Sequence, residues 1–304
     1  QKEIAIDLET CDPWLRSHGP GWACKDRGYI IGIAVATEGW RGYFPVAHTT
    51  GANLDKGVVR RWLQKQLDAP NAKIFHNAQY DVGWLMAEGY TINGEIHDTM
   101  MAAPLLNENE YSYSLNSLGK MYLDEVKDET MLTEAAQIFG VDPKSEMYKL
   151  APKYVGVYAE QDADLTYRLW QILKKGISED NITEIYNLER SLLPVLIDMR
   201  SKGVRIDTDK AQQVKQQLKK DEDKVIKEIK NWYGIAPDLW AAQSLAQVFD
   251  RAGLEYPRTP KTQAPSFVAN WLESQEHKLP MAIAKARKLN KARTTFIDKM
   301  ILEH

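Results

Sequence analysis

The pattern of apolar and polar positions predicts a mixed sheet in the first part of the chain. Residues 4–6 form a short apolar run of the kind that makes a buried strand. Residues 29–37 are almost wholly apolar and residues 40–46 alternate, which predicts two strands that form an antiparallel pair beside the first. The segment between the first two strands is rich in Trp, Gly and Pro and predicts a loop. Residues 73–75 predict a brief strand, and residues 96–99 predict one more short strand end.

Apolar residues spaced three and four apart predict helices between and after these strands. Strands followed by alternating strands and helices are typical of a mixed α/β sheet flanked by helices. The predicted helices of this part are 54–67, 76–85, 100–106, 115–122, 130–139 and 155–173.

Strand patterns stop after residue 183, and helical spacing continues to the end. Gly203 and Gly253 stand where two of the later helices should end. A segment rich in Pro, Thr and Lys predicts a loop at 256–265. We therefore expect two domains, an α/β domain over 1–183 and an all-helical domain over 184–304. The helices predicted in the second domain are 185–202, 207–233, 239–252, 266–275 and 280–304.

Composition excludes several classes of protein. Hydrophobic residues make up 44% and charged residues 27%, as in an ordinary globular protein. No apolar run is long enough to span a membrane, and the N-terminus lacks the layout of a signal peptide. Cys11 and Cys24 are too few for a disulfide framework or a zinc site, which favours a reducing cytoplasm.

Charge is unevenly divided along the chain. Residues 187–304 contain 21 Lys and Arg against 15 Asp and Glu, so this part carries a net charge of +6. Because the whole chain has a net charge of −3, residues 1–186 carry −9. An acidic α/β domain next to a basic helical domain suggests metal chemistry beside a surface that holds a polyanion.

Two carboxylates, Asp7 and Glu9, come at the end of the first predicted strand. Since side chains alternate along a strand, both should point to the same face. Adjacent anions repel unless a positive charge lies between them, and a hard divalent cation binds such oxygens well. An isolated Asp-x-Glu is more often an acidic strand end that faces solvent, so the pair needs support from the rest of the chain.

Two further pairs have the spacing of one helical turn. Asn77 and Asp81 lie four apart at the start of a predicted helix, where they could also serve as a cap and a first-turn acid. Tyr158 and Asp162 have the same spacing on a later helix. Alone, Tyr158 would more often be a core aromatic residue, and Asp162 and Asp164 a solvated face.

Read together, the three pairs predict two-metal phosphodiester hydrolysis. They bring four carboxylates and a tyrosine from three separated elements, and two divalent ions about 3.5–4 Å apart could flank a scissile phosphate there. All-oxygen ligands suit Mg²⁺ or Mn²⁺.

In this order the pairs resemble the Exo I, II and III motifs of the tyrosine-bearing (DEDDy) branch of the DEDD 3′-5′ exonucleases. The resemblance covers most of 1–183, includes the pair Asp98-Thr99, and implies an RNase H-like fold. It implies that Asp7 bridges both metal ions and that Glu9 and Asp162 complete the ion that holds the attacking water. Asp81 would act on the second ion through water, and Tyr158 would orient the nucleophilic water together with Glu9. Candidate contacts to the terminal nucleotide, which lie in or beside these motifs, are Leu8, Thr10, Asn77 and Tyr80; His76 is expected to be a neighbour rather than a ligand.

The second part of the chain resembles family A DNA polymerases, of the polymerase I type. Residues 188–207 resemble the junction between exonuclease and polymerase domains, and 259–267 and 288–300 resemble parts of the thumb. The thumb holds primer–template duplex through its backbone. The alternative for any single basic residue is a solvated helix face. The implied phosphate contacts are Lys261, Lys285, Arg287, Lys288, Lys291 and Arg293.

The sequence contains no motif of a polymerase palm. We therefore expect a truncated phage or bacterial polymerase, with an exonuclease domain and a partial thumb, that does not polymerise by itself. Its expected partners are single-stranded or frayed DNA 3′ ends, primer–template duplex, and the missing palm and fingers. Its expected location is the cytoplasm of a bacterial or phage-infected cell. Two alternatives remain open, namely an RNA-trimming DEDDy nuclease and a catalytically silent DNA-binding or anchoring module.

Overall fold

The structure, a computed structural model, describes residues 3–24 and 27–303. The chain divides into two compact units, Gln1–Gly203 and Val204–His304. In the described ranges no helix is both long and apolar enough to cross a membrane.

The first unit is built on a five-stranded mixed sheet with the strand order β3-β2-β1-β4-β5. β1 pairs antiparallel with β2, and β2 pairs antiparallel with β3. β1 and β4 are parallel, as are β4 and β5. The predicted mixed sheet and its antiparallel trio are confirmed. The strands are β1 (Ile4–Cys11), β2 (Tyr29–Thr37), β3 (Trp40–Pro45), β4 (Lys73–Phe75) and β5 (Ile96–Asp98).

Eight α-helices and one 3-10 turn of the first unit are described. The one-turn helix α1 and the 3-10 turn were not predicted, and the other helices lie close to their predicted positions. The helices are α1 (Leu15–His18), α2 (Lys56–Asp68), α3 (Ala78–Ala87), α4 (Thr99–Leu106), α5 (Leu115–Leu123), α6 (Thr130–Phe139), α7 (Pro152–Glu179) and α8 (Thr183–Lys202), and the 3-10 turn is Met147–Lys149.

Alternate residues of β1 serve two different cores. Ile4, Ile6 and Leu8 are buried in one core, on one face of the sheet. Ala5 belongs to the opposite core together with Ala159 of α7. Small residues on this second face allow a helix to approach the sheet closely. Asp7 and Glu9 follow Ala5 in the period of two, so the strand pattern directs them toward the face that α7 covers.

The first compact unit extends to Gly203, beyond the end of the strand pattern near residue 183. It includes α8, which packs on the sheet. Leu193 and Ile197 of α8 are buried in one core of the unit, and Tyr186 is buried in the other. Gly203 ends α8 with φ 67°, a conformation that suits glycine.

His97 of β5 is a buried neutral imidazole in this unit. Its ring stacks on Trp170 with centroids 4.2 Å apart, and its Nδ1 lies 3.0 Å from the Tyr186 hydroxyl. Burial, followed by the charge of Arg190, lowers the pKa of His97 to about 4 from 6.5. The unfolded chain therefore binds this proton more tightly than the folded protein does.

We expect the unfolding free energy to fall as pH decreases from about 6.5 toward 4, because protonation of His97 then favours the unfolded state. The contribution lost is about 3 kcal/mol. Urea unfolding across this pH range should give a flatter profile for His97→Phe than for the wild type, since Phe keeps an aromatic ring against Trp170. Parallel profiles would contradict the assignment.

The second unit is helical and is organised around two of its helices, α9 (Thr208–Tyr233) and α12 (Lys278–Lys291). Val225 and Ile229 of α9 pack with Phe249 and Ile283 in one buried cluster. The predicted loop at 256–265 contains one isolated bridge, between Arg258 and Pro265. The helices are α9 (Thr208–Tyr233), α10 (Ala242–Ala252), α11 (Ala269–Glu273) and α12 (Lys278–Lys291), with a π-helical continuation over Ala292–Leu302.

Candidate active site

The first pair of carboxylates lies inside β1 and not at its end. The strand continues to Cys11, and Asp7 and Glu9 face Ala34 and Gly32 of β2 in register. The register shifts between Glu9 and Thr10. Glu9 is buried at 9% exposure, so the pair is not a solvated strand end.

Asp81 connects α3 to the first strand. It lies in the first turn of α3, is buried, and accepts a hydrogen bond from the Leu8 backbone N–H at 2.9 Å. A carboxylate in a first turn is also favoured by the helix dipole. Because this bond joins α3 to β1 one residue from Asp7, it brings the second motif to the first.

Asn77 stands at the N-cap of α3 but does not cap it with its side chain. Its backbone has φ 69°, and no side-chain capping bond is formed. Asp98 performs this role from β5, since its carboxylate accepts the N–H groups of Asn77 at 2.9 Å and Ala78 at 2.7 Å. Asp98 also caps α4 through the Met100 N–H at 2.8 Å. One buried carboxylate thus anchors the start of two helices.

The third motif is buried on α7. Asp162 is 4% exposed and Tyr158 is 9% exposed, so the alternative of a solvated face is wrong for Asp162. Asp164 lies elsewhere and forms ion pairs with Arg41 at 3.6 Å and Arg168 at 3.0 Å. The two acids of α7 therefore have different surroundings. Asp162, four residues after Tyr158, is buried, whereas Asp164 is paired with arginines.

The four carboxylates act on one another electrostatically. Burial and then the charge of Asp162 raise the pKa of Asp7 to about 7. Burial, Asp7 and Asp162 raise the pKa of Glu9 well above its ordinary value. Burial and Asp7 likewise raise the pKa of Asp81. Since the charge of Asp7 or Asp162 raises the pKa of each of the other acids named here, the four form one group, here called the acidic cluster.

Tyr158 lies beside the acidic cluster as a protonated phenol. Burial raises its pKa, and the charges of Glu9, Asp162 and Asp7 raise it further. Its hydroxyl is therefore neutral at neutral pH and can donate a hydrogen bond.

Lys127 is a site residue that the sequence analysis missed. It lies in the turn between α5 and α6, its ammonium forms an ion pair with Asp162, and it donates to the Tyr158 hydroxyl at 2.9 Å. Its positive charge also lowers the pKa of Asp7 and Glu9 against the effect of burial. Lys127 lies outside all three motifs, between acidic residues that read as a solvated turn, so no local pattern marks it.

Thr10 and Tyr80, two of the candidate nucleotide contacts, lie together. Their hydroxyls are 2.7 Å apart, and Tyr80 also donates to Asp12 at 3.1 Å. Leu8 departs from its predicted role, because its side chain is 6% exposed and packs in the core of the sheet. Asn77, by contrast, is exposed, and its backbone is held by Asp98 as described above.

His76 lies close to the acidic cluster. Its Nδ1 is 2.8 Å from the Thr99 hydroxyl, and burial followed by the charge of Lys127 lowers its pKa to about 4.

Two of the basic residues predicted to contact phosphate are used inside the second unit. The Arg287 guanidinium donates to the backbone oxygens of Leu239 and Phe267. Arg293 pairs with the buried Glu222 at 3.1 Å. Both guanidinium groups therefore form bonds within the unit. The four lysines of the set have exposed side chains, and they are Lys261, Lys285, Lys288 and Lys291.

The acidic cluster suits a divalent cation in its chemistry. In the part of the chain that the structure describes, no three Asp, Glu, His or Cys side chains converge as a formed metal site. The Lys127 ammonium holds one carboxylate oxygen of Asp162. The other carboxylate oxygen, Asp162 Oδ1, is buried without a hydrogen-bond partner. A buried anionic oxygen with no partner is costly unless a cation reaches it, so these residues fit a hard metal ion.

The sheet order and its flanking helices define the RNase H-like exonuclease fold. The chain belongs to the 3′-5′ exonuclease family of family A DNA polymerases, because the model of that family matches residues 1–178. It therefore carries a 3′-5′ exonuclease domain of a family A DNA polymerase, and exonuclease domains of this kind are metal-dependent.

Curated relatives and solved structures agree with this family. The chain is 34% identical over 311 residues to a DNA-directed DNA polymerase of Pseudomonas phage M6, covering 98% of this chain and 46% of the relative. It is 26% identical over 329 residues to DNA polymerase I of Pseudomonas aeruginosa, covering 98% and 35%. The polymerase domain of Pol1 from M. smegmatis, solved with DNA primer–template and dNTP, has the same fold with a TM-score of 0.71 and 18% identity, covering 97% and 46%. The chain spans less than half the length of each of these proteins.

Proposed function

We propose that the acidic cluster hydrolyses the terminal phosphodiester bond of DNA and releases 5′-mononucleotides from 3′ ends. The observation that carries the proposal is that four mutually repelling carboxylates from β1, α3 and α7, three buried and Asp7 half-buried, lie beside one tyrosine hydroxyl. Repulsion of this kind is unfavourable for folding, and a site that binds cations offsets it when it is loaded.

Asp7, Glu9, Asp81 and Asp162 would hold two divalent ions, Mg²⁺ or Mn²⁺, with Asp7 shared between them. Such ions supply positive charge that stabilises the attacking and leaving oxygens of the displacement. The chain's own residues would orient the reactants. In this proposal the neutral Tyr158 hydroxyl positions the attacking water together with Glu9, and Asp81 supports the leaving side through water.

DNA with single-stranded or frayed 3′ ends is the proposed substrate, because unpaired terminal bases cost less to bring into a buried site. Thr10, Asn77 and Tyr80 are the proposed contacts to the terminal nucleotide. The helical unit over 204–304 would act as part of a polymerase thumb. Its proposed contacts to duplex phosphates are Lys261, Lys285, Lys288 and Lys291.

As in the longer polymerases that this chain resembles, we propose proofreading as the role of the domain. Its partners would be primer–template duplex and the palm and fingers, and its place of action the cytoplasm of a bacterial or phage-infected cell.

The first test is digestion of a 5′-labelled single-stranded DNA oligonucleotide with Mg²⁺, with Mn²⁺ and with EDTA. We expect a ladder that shortens from the 3′ end with either metal and disappears with EDTA. Faster digestion of an RNA oligonucleotide of the same sequence would favour the RNA-trimming nuclease. DNA binding without cleavage in either metal would favour a silent anchoring module.

For Tyr158→Phe we expect a partial loss of cleavage, about 10- to 100-fold in kcat, because the acidic cluster is intact and only the orientation of water suffers. Mn²⁺ affinity, measured by titration calorimetry, should stay near the wild-type value. Tyr154→Phe, on the same helix, is the matched control and should cleave normally. A loss in Tyr158→Phe as deep as that of a missing carboxylate would contradict the assigned role.

A further inference from the structure

Lys127 reaches the acidic cluster from outside the three motifs. Its side chain is 12% exposed, its ammonium pairs with Asp162, and it donates to the Tyr158 hydroxyl at 2.9 Å. The ammonium also lies 4.5 Å from the centre of the Tyr158 ring. Among the residues that the structure describes, Lys127 is the only ion-pair partner found for any of the four carboxylates. The cluster therefore has one internal counter-charge, at the acid next to the tyrosine.

The turn that carries Lys127 is fastened at both ends. Glu125 forms a two-point ion pair with Arg168 of α7, at 2.6 and 2.7 Å. Gln161, the residue before Asp162 on α7, accepts the Asp128 N–H at 2.7 Å.

Two more bonds hold the backbone between these ends. The Gln161 side chain also donates to the Val126 oxygen at 3.2 Å. The Lys127 N–H donates to Asn116 of α5 at 2.9 Å. Four consecutive residues are thus held by α5 and α7, so the lysine is presented to the acidic cluster by a fixed turn and not by chance exposure of a long side chain.

A lysine at position 127 can meet two electrostatic needs of the site, one without metal and one during the reaction. Without metal, the carboxylates of the acidic cluster need a positive charge, and Lys127 supplies it at Asp162. In the reaction, Asp162 serves as a metal ligand, and the ammonium must find another anionic partner within reach of its fixed turn. The substrate group that has to lie beside Asp162 and Tyr158 is the scissile phosphate, whose non-bridging oxygens accept strong bonds from lysine.

We propose that Lys127 is a catalytic residue. In the metal-free site its ammonium neutralises Asp162, and when metal ions bind the ammonium instead donates to a non-bridging oxygen of the scissile phosphate. This inference rests on the proposed function of the acidic cluster. Loss of the ammonium is therefore expected to change metal affinity and cleavage rate in opposite directions. Removing the ammonium favours metal binding, because a competing positive charge is lost, and it slows cleavage, because the phosphate loses a donor.

The test compares Lys127→Met, which keeps the length of the side chain, with the wild type. Mn²⁺ binding in the absence of DNA is measured by titration calorimetry, and kcat is measured on single-stranded DNA at saturating Mg²⁺. We expect Mn²⁺ to bind about tenfold more tightly to the variant. We expect kcat to fall about a hundredfold, the loss typical of one electrostatic donor. A merely structural role would weaken metal binding and cleavage together.

Lys127→Arg keeps the charge, so its Mn²⁺ affinity should stay near the wild-type value. This expectation does not depend on whether the larger guanidinium group supports cleavage. Lys144→Met removes a lysine that pairs on the surface with Glu129, and it should match the wild type in both measurements. Mn²⁺ affinity of Lys127→Met that is unchanged or weaker, or a wild-type kcat, would overturn the inference. Wild-type protein that neither binds Mn²⁺ nor cleaves DNA would instead overturn the proposed function itself.

Discussion

Asp7→Ala should lose cleavage by at least about a thousandfold, because the proposed shared ligand of both metal ions is gone. The same variant should be more stable than the wild type in EDTA at pH 8. Asp7 has a pKa of about 7 in the folded protein against 3.8 for an ordinary aspartate, so the folded state binds this proton more tightly. The tighter proton binding of Asp7 stabilises the folded protein fully below about pH 4. This stabilisation decreases as pH rises and is lost above pH 7. Removing the carboxylate should therefore raise the unfolding free energy at pH 8 by roughly 2–4 kcal/mol.

Urea unfolding in EDTA at pH 4 and pH 8 measures this effect. The advantage of Asp7→Ala should appear at pH 8 and vanish at pH 4. With saturating Mg²⁺ at pH 8 the order should reverse, since bound metal stabilises only the intact site. Glu134→Ala removes an exposed carboxylate of α6 and serves as the control, with little change in either assay. Wild-type cleavage by Asp7→Ala, or a lower stability in EDTA at pH 8, would argue against the site.

The strand period placed Asp7 and Glu9 on one face because alternation along a strand does not depend on what covers it. The length of β1 was harder to predict. Polar residues at positions 7, 9 and 10 look like the end of an apolar strand, yet the strand continues to Cys11. Its polar positions are tolerated in the interior because Asp7 and Glu9 belong to the acidic cluster. Functional sites are where a local hydrophobic pattern is expected to fail.

Contacts between residues distant in sequence determine which charged side chains are buried and which are paired at the surface. Asp162 and Asp164 are equivalent by spacing, but one is buried beside Tyr158 and the other is paired with arginines. Lys127 meets Asp162 across 35 positions of the chain, and Arg293 meets Glu222 across 71. The sign of a side chain's charge can be read from the sequence. Whether it faces solvent, DNA or a buried acid depends on contacts that no local pattern records.

Asp98 is the residue on which the position of the second motif depends. Its carboxylate accepts three backbone N–H groups, those of Asn77, Ala78 and Met100. These bonds fix the start of α3, one turn before Asp81, and Asp81 in turn bonds the Leu8 N–H of β1. The carboxylate lies on a different strand from the metal-ligand candidates, so it affects the site through the placement of α3.

Asp98→Ala should therefore destabilise the first unit by roughly 3–9 kcal/mol, because three N–H groups lose a buried acceptor at about 1–3 kcal/mol each. Asp98→Asn keeps one acceptor oxygen, so its loss in urea unfolding should be intermediate and the protein should remain folded for assay. In that variant we expect kcat on single-stranded DNA to fall, because α3 carries Asp81 and is displaced. If Asp98→Ala were as stable as the wild type, the start of α3 would have to be held by other contacts, and Asp81 would owe its position to the Leu8 bond alone.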